Sequence, residues 1–273
     1  VRPGAPPGPL RLERVEGSSF VWESPSWAVK VPDDADLVLV CVRYEQLDAD
    51  LVRLLEAGPK VAIVVLTPML PTDLARLSER LPIVAAMPGV VAYFSEPGVL
   101  RYWLPRLALT CIDVAHVHAG AIDVLVDSLN DAGIRAAVVE GTRTTNPSTT
   151  LSFVPLTMAL DVAGGVDALL NDRDLLKLAC DAVQEGRTLA SRIGNVQPWA
   201  GLLLRFVTPT TVRAGVMLAR ARSAEAVRYV EHHFGRKLHA QNVAMAAGML
   251  DLAARHGTDH DALAQLARQL NKA

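Results

Sequence analysis

Asn146 to Leu160 reads NPSTTLSFVPLTMAL. At this stretch the patterning of the chain changes. Before it, short apolar runs alternate with segments of helical spacing. After it, helical periodicity runs almost unbroken to Gln269, with breaks at Gly164-Gly165, Gly194 to Pro198 and Gly257. Side chains repeat every two residues along a strand and every 3.6 along a helix, so the switch predicts two architectures in one chain. Within the stretch, Asn146-Pro147 followed by Ser148-Thr149 reads as a helix start. A short polar side chain caps free N–H groups there, and proline suits the first turn.

Upstream, Ala35 to Arg43 reads ADLVLVCVR. It is apolar at odd and even positions alike, which predicts a parallel strand buried on both faces. Leu47 to Glu56 predicts a helix, Lys60 to Leu66 a second buried strand, Asp73 to Leu81 a helix and Ile83 to Met87 a third strand. Val114 to His118 alternates with period two and reads as a strand. Ala121 to Ala132 reads as a helix closed by Gly133, and Ile134 to Val139 as a further strand. Arg11 to Val15 and Ser19 to Glu23 predict a short hairpin around Glu16-Gly17. Alternating strand and helix predicts an open α/β sheet with right-handed crossovers over residues 1–141. An all-α domain is expected over residues 142–273.

The composition fits two modest domains, each with its own core: 273 residues, 51% of them hydrophobic. A net charge of −2 offers no positive field for nucleic acid or an anionic membrane surface. Cys41, Cys111 and Cys180 are odd in number and far apart, so no disulfide framework is expected, and a reducing cytoplasm is. Prolines and charges stand at the start where a signal peptide would carry an apolar run. Trp199 to Leu218 is apolar but interrupted by Arg205, Pro209 and Arg213. It predicts a buried helix pair rather than a membrane span.

From about Ala35 to His256, the order of these pieces resembles the ketopantoate reductase family. That family opens its helical domain on aromatic-x-Lys-apolar-x-x-Asn-x-x-x-Asn-Pro-Leu-Thr-Ala, and Pro155, Leu156 and Thr157 match the Pro-Leu-Thr. ADLVLVCVR, the helix end Asn130 to Ile134, the amphipathic segment Asp172 to Ile193 and the helix end Arg255-His256-Gly257 carry the rest of the likeness. The resemblance implies a Rossmann-like α/β N-terminal domain, without its first strand and helix in these residues. It also implies an all-α C-terminal domain of the ketopantoate reductase type.

The same frame carries the family's functional positions onto this chain. The catalytic lysine falls on Asn146, and the two asparagines fall on Thr150 and Val154. The asparagine that precedes a glycine falls on Thr67, the serine on Tyr229, and the late-helix glutamate on Gln241. In the family the lysine gives a proton to the carbonyl oxygen as the adjacent carbon receives hydride. Asparagine has no titratable proton and cannot act as that acid. The family also binds NADP through a Gly-x-Gly-x-x-Gly turn, whose backbone N–H groups approach the pyrophosphate at a helix N-terminus. That motif is absent from the 273 residues. Val1-Arg2-Pro3 resembles the end of the second strand, where the family's arginine meets the 2′-phosphate. Arg2 is thus the one expected cofactor contact, and only with a Gly-rich strand–helix unit upstream of Val1. Otherwise no cofactor is expected.

These losses point to a non-redox small-molecule enzyme on a ketopantoate-reductase-like scaffold. The expected reaction is a cyclisation or isomerisation of a largely apolar, polyketide-like secondary metabolite, driven by holding a near-attack geometry. Tyr229, His233 and Gln241 are the expected catalytic residues. Tyr229 and His233 share a helix face at i, i+4, and imidazole exchanges protons near neutral pH. Thr67, Asn146, Thr150 and Val154 are the expected substrate contacts. Two alternatives stand beside this reading. One is an NADP-dependent ketone reductase extending upstream of Val1, with its proton donor moved to Tyr229 or His233. The other is a non-catalytic binding subunit. A homodimer is expected from the resemblance. His116 and His118 share one face of a strand, but no nearby cysteine or carboxylate completes a ligand set, so no metal site is expected. Arg143 reads as the partner of an acidic neighbour or of a ligand carboxylate.

Overall fold

The computed structural model describes residues 9–14, 19–23, 28–105, 108–194, 201–202, 204–222 and 224–273, with the side chains of 224–226 and 229 outside that description. The chain divides into two compact units. The first comprises residues 1–42, 46–67 and 74–143; the second comprises 43–45, 68–73 and 144–273.

The first unit opens with β1 (Leu10–Arg14) and β2 (Ser19–Trp22), antiparallel with Leu10 opposite Trp22 and Glu13 opposite Ser19. Then come β3 (Leu37–Val40), α1 (Ala49–Glu56), β4 (Ala62–Val65), α2 (Pro71–Ser78) and β5 (Ile83–Met87). After them come β6 (Val91–Glu96), β7 (Val99–Trp103), β8 (Thr110–Ile112), α3 (Ala119–Asp131) and β9 (Ala136–Val138). One sheet has the order β3-β4-β5-β8-β9, with β3, β4 and β5 mutually parallel. The other has the order β2-β1-β7-β6.

Local chemistry accounts for these elements. The Asp48 carboxylate caps α1 by accepting the N–H groups of Asp50 at 3.0 Å and Leu51 at 2.9 Å. All four residues of β4 are buried, so this strand is central. Ala62 and Val64 of β4, with Val84 and Ala86 of β5, pack on Ile122 and Leu125 of α3. The i, i+2 spacing within each strand puts these residues on one face. Beyond α3, Gly133 takes φ +78, and the Asn130 amide bonds both the N–H and the carbonyl of Ala136 at 3.0 Å. That clasp sets the start of β9.

Three expectations for this unit are corrected. ADLVLVCVR is not buried on both faces: β3 is an edge strand among the described residues, and Leu39 is 44% exposed. Uniform apolarity does not distinguish an edge from a centre. Val114 to His118 is not a strand. The strand ends at Ile112, and His116–His118 form a 3-10 turn leading into α3. At three residues per turn, His116 and His118 do not share a face. The hairpin of β6 and β7, turning at Pro97-Gly98 with Gly98 at φ +81, lies in a stretch with no expected element.

The second unit is helical. It contains α4 (Thr142–Ala163), α5 (Val166–Asn171), α6 (Arg173–Ile193), α7 (Pro209–Arg222), α8 (Ala224–Phe234), α9 (His239–His256) and α10 (Asp261–Leu270). Its core joins Leu151 and Met158 of α4 to Leu176, Ala179 and Leu189 of α6, Met245 and Met249 of α9, and Leu263 and Leu266 of α10. The helix containing Asn146 starts at Thr142, so Asn146 lies inside α4 and is not its cap. The Thr142 hydroxyl instead donates to the Val139 carbonyl at 2.7 Å. Both Pro147 and Pro155 lie within α4. Pro155 has no N–H to give the Leu151 carbonyl. Against that carbonyl α6 places Gly186. The expected buried helix pair is also corrected, because α7 carries no buried residue and Met217 is 69% exposed. Among the described residues no helix is long and apolar enough to cross a membrane.

Candidate functional site: a buried polar seam in the helical unit

Asn146, Thr150, Val154, Thr157 and Asp161 recur along α4 at steps of four, four, three and four. That spacing lays them along one face. All five are buried. From α9, Asn242 bonds this face, and its neighbour Gln241 is also buried. Polar side chains persist in such a place only when they are hydrogen-bonded, and these are.

The bonding falls into two stretches, Asn146–Thr150 and Thr157–Asp161. The Thr150 hydroxyl donates to the Asn146 carbonyl at 2.9 Å and lies 3.4 Å from its Oδ1. The Thr157 hydroxyl lies 2.8 Å from the Val154 carbonyl and 3.1 Å from Asn242 Oδ1. It has one proton and serves one acceptor at a time. Asn242 Nδ2 then donates to Asp161 Oδ2 at 3.1 Å. The same oxygen lies 3.0 Å from His239 Nδ1. Asp161 is 1% exposed, whereas the His239 side chain is 44% exposed. An ionised carboxylate only accepts, so His239 carries hydrogen on Nδ1 and turns its other ring nitrogen away from the pair.

A second polar group gathers at the start of α9. Gln241 Oε1 accepts the Tyr44 N–H at 3.2 Å, and the Tyr44 hydroxyl donates to Asp73 Oδ2 at 2.5 Å. Beside them, Arg43 Nη1 lies 3.8 Å from Glu45 Oε1. Glu45 Oε2 is buried with no hydrogen-bond partner among the described residues. Lys237, one turn before Gln241, has its ammonium pushed below the usual lysine range, first by desolvation and then by the like charge of Arg43.

The expected site residues fall as follows. Asn146, Thr150 and Val154 lie on the seam, and Gln241 lies on the facing helix beside Asn242. His233 is half-buried, its ring edge-on to Phe234 at 4.4 Å. Tyr229 is on α8, but its side chain is outside the described residues, and Arg2 lies outside them altogether. Thr67 belongs to the first unit, where its hydroxyl donates to the Val42 carbonyl at 2.6 Å. Arg143 meets an acidic neighbour: its N–H donates to Asp113 Oδ2 at 3.1 Å, and its guanidinium donates to the Ile83 carbonyl at 3.2 Å. Among the described residues no three metal-ligating side chains gather. Sequence reasoning missed Thr157, Asp161 and His239 as site residues, while Asn242 beside Gln241 reads from the sequence as a candidate for bonding a ligand carbonyl. The recurrence of polar residues at helical spacing within an otherwise apolar α4 face was the signal available for the first two.

No protein-family model matches the chain, and no curated protein matches it in sequence. Solved structures do match in fold. A 2-dehydropantoate 2-reductase from Geobacter metallireducens GS-15 superposes with a TM-score of 0.69 at 15% identity, over 96% of this chain and 86% of that one. A ketopantoate reductase of the PanE/ApbA family from Ralstonia eutropha JMP134 gives 0.67 at 17% identity, over 97% and 84%. A D-mandelate dehydrogenase solved with NADH and anilino(oxo)acetate gives 0.65 at 13% identity, over 96% and 84%. At these identities the likeness speaks for the fold alone: an α/β unit and a helical C-terminal unit, the fold of the ketopantoate reductases.

Proposed function

We propose that the chain is an oxidoreductase of small keto or hydroxy acids that works with a nicotinamide nucleotide. The observation that carries this reading is the fold likeness over nearly the whole chain to two reductases and a dehydrogenase, one of them solved with NADH and an oxo-acid ligand. Fold alone does not fix function, so the reading also has to suit the residues. The buried hydrogen-bonding groups of α4 and α9 suit binding and orienting a polar substrate. In the reductase reading the proton falls to Tyr229 or His233, because the neutral Asn146 cannot supply it.

The residues of this chain do not by themselves fit the nucleotide. Its 273 residues contain no Gly-x-Gly-x-x-Gly to approach a pyrophosphate. The reading therefore requires a Gly-rich strand–helix unit upstream of Val1. Among the described residues β3 is an edge strand with Leu39 44% exposed and no strand paired on its outer side, which suits one more parallel strand there. The test is nicotinamide fluorescence on the protein expressed with its upstream coding sequence, followed by oxidation of NADH or NADPH with a panel of 2-oxo acids. Saturable binding and substrate-dependent oxidation are expected. Absence of both ends the reading.

A second reading is favoured by one observation. Asn146, at the position of the expected lysine, is buried inside α4 beside Thr150. A neutral hydrogen-bonding group at this position suits a non-redox cyclase or isomerase of an apolar, polyketide-like metabolite, with Gln241 and Asn146 bonding its carbonyls. Conversion of such a substrate without any nucleotide supports this second reading against the first.

A further inference from the structure

The end of the seam distant from Asn146 has a chemistry of its own. Fifteen residues of helix separate Asn146 from Asp161, roughly 22 Å at the helical rise. At this far end α4 stops in Gly164-Gly165, with Gly164 at φ +77. Glu231 of α8 closes the turn by accepting the Val166 N–H at 2.7 Å through Oε1. The Arg236 guanidinium lies over the same turn: a Cβ built on Gly164 would stand 3.8 Å from its Nη2 and 4.0 Å from its Nε. Glycine leaves that space open. Arg236 is exposed and has no ion pair among the described residues.

Arg236 and His239 are tied together by backbone geometry. Residues 236–238 form a 3-10 turn that runs directly into α9 at His239. With three residues per turn, side chains at i and i+3 project from the same side. A bidentate donor for a planar anion thus stands three residues, one 3-10 turn, before an imidazole whose Nδ1 is held by the buried Asp161. Anchoring one ring nitrogen on a carboxylate fixes the tautomer and leaves the other as an outward-facing base. Asn242 holds the carboxylate in turn at 3.1 Å, so the ring is oriented by side chains that are themselves buried and bonded.

We propose that Arg236, His239 and Asp161 form a proton-transfer site for a small carboxylate with a carbonyl next to it, separate from the Asn146–Gln241 region. Arg236 takes the carboxylate in a forked pair. The outer nitrogen of His239 removes a proton from the carbon beyond the carbonyl. The C–H electron pair becomes the C=C bond of an enolate as the carbonyl π pair moves to oxygen. Return of a proton from the imidazolium restores the ketone. No electrons leave the substrate, so the step needs no nucleotide and goes beyond the oxidoreductase reading.

The test is solvent deuterium exchange into C3 of 2-oxobutanoate, followed by proton NMR in D2O without nucleotide. The wild-type protein should exchange above the buffer rate. His239→Ala should fall by about a hundredfold or to the buffer rate, the range for loss of a general base. Arg236→Ala should weaken saturation by about tenfold, and Arg236→Lys should recover only part of it, since a point charge replaces a fork. Asp161→Asn should slow exchange at unchanged saturation and move His239 away from a single Nδ1–H tautomer in nitrogen-15 spectra, a readout that a merely structural role would not move. Wild-type exchange at the buffer rate, or His239→Ala exchanging like wild type, overturns the proposal. Exchange lost in His239→Ala while nucleotide oxidation survives separates this site from the oxidoreductase reading.

Discussion

Gly186 of α6 lies against the backbone of Leu151 in α4, so close that a Cβ built on Gly186 would stand 2.2 Å from the Leu151 carbonyl oxygen. That oxygen is the one Pro155 deprives of its helical N–H. The proline and the glycine thus act on the same carbonyl from two helices, and the approach fixes how closely α4 and α6 pack. Gly186→Ala should destabilise the protein by about 1–3 kcal/mol or more, because backbone rather than a flexible side-chain tip must move. Urea denaturation measures it; an unchanged midpoint would show that the helices yield freely.

Gln241 secures the Tyr44 N–H at 3.2 Å from inside the helical unit. Gln241→Ala removes the acceptor and should cost about 1–3 kcal/mol, the usual penalty for an unsatisfied buried donor. Gln241→Glu keeps an acceptor in place and should lie closer to wild type in stability. Equal losses in the two variants would mean that the amide matters for a contact other than Tyr44.

The contrast between what was legible in the sequence and what was not follows from range. Ile83 to Met87 was readable as a strand because apolar run length and flanking turns are local properties. The Asp48 cap and Gly133 stop are local as well. The helical unit was readable from the unbroken period after Gly141. Less legible was whatever depends on a distant partner. Whether β3 is central or at an edge is decided by which strand lies beside it. The seam's two halves, Thr157 and Asn242, are 85 residues apart. The match at Pro155-Leu156-Thr157 points to Asn146, whereas Asp161 has no counterpart in the motif. Tertiary pairing of α4 with α9 is what turns Asp161 and His239 from two scattered polar residues into a pair.

Asn242 bridges Thr157 and Asp161, and its replacement should expose how strongly the seam is coupled. Asn242→Leu leaves the buried Asp161 carboxylate one donor short and should cost about 1–3 kcal/mol or more. Thr157→Val alone should cost less, because its hydroxyl has a second acceptor in the Val154 carbonyl. A double-mutant cycle between the two should return a coupling of about 0.5–3 kcal/mol. Strict additivity would mean that the two side chains do not share a bond in solution.

Cys180 is buried in α6, and burial pushes its thiol up to about 11. The thiolate is the reactive form, so native Cys180 should resist Ellman's reagent at pH 8 and react on unfolding. Cys41 is exposed, though desolvation pushes its thiol up as well, so it should react ahead of Cys180 but more slowly than a free thiol. Comparison of wild type with Cys180→Ala in native buffer identifies the slow thiol. Rapid loss of all three thiols without denaturant would show that α6 opens far more readily than its packing implies.

Lys237 gives the chain a pH dependence of opposite sign. Desolvation, with Arg43 nearby, lowers its pKa in the folded state below that of the unfolded chain. The unfolded state therefore binds the proton more tightly, and folding carries a penalty that is fully present below the folded pKa. As pH rises through that value toward the ordinary lysine pKa of about 10.4, the penalty disappears. Lys237→Gln should accordingly raise the melting temperature at neutral pH, and the gain should shrink as pH climbs. Cys180 pulls the other way, since the unfolded chain ionises that thiol first, so absolute melting curves mix the two effects. The difference between variant and wild type at each pH cancels the thiol and isolates the lysine. Arg43→Gln should retain part of the Lys237 penalty, because desolvation is the larger cause. A stability difference for Lys237→Gln that is flat from neutral pH to the lysine range would remove the charge from the explanation and leave only packing.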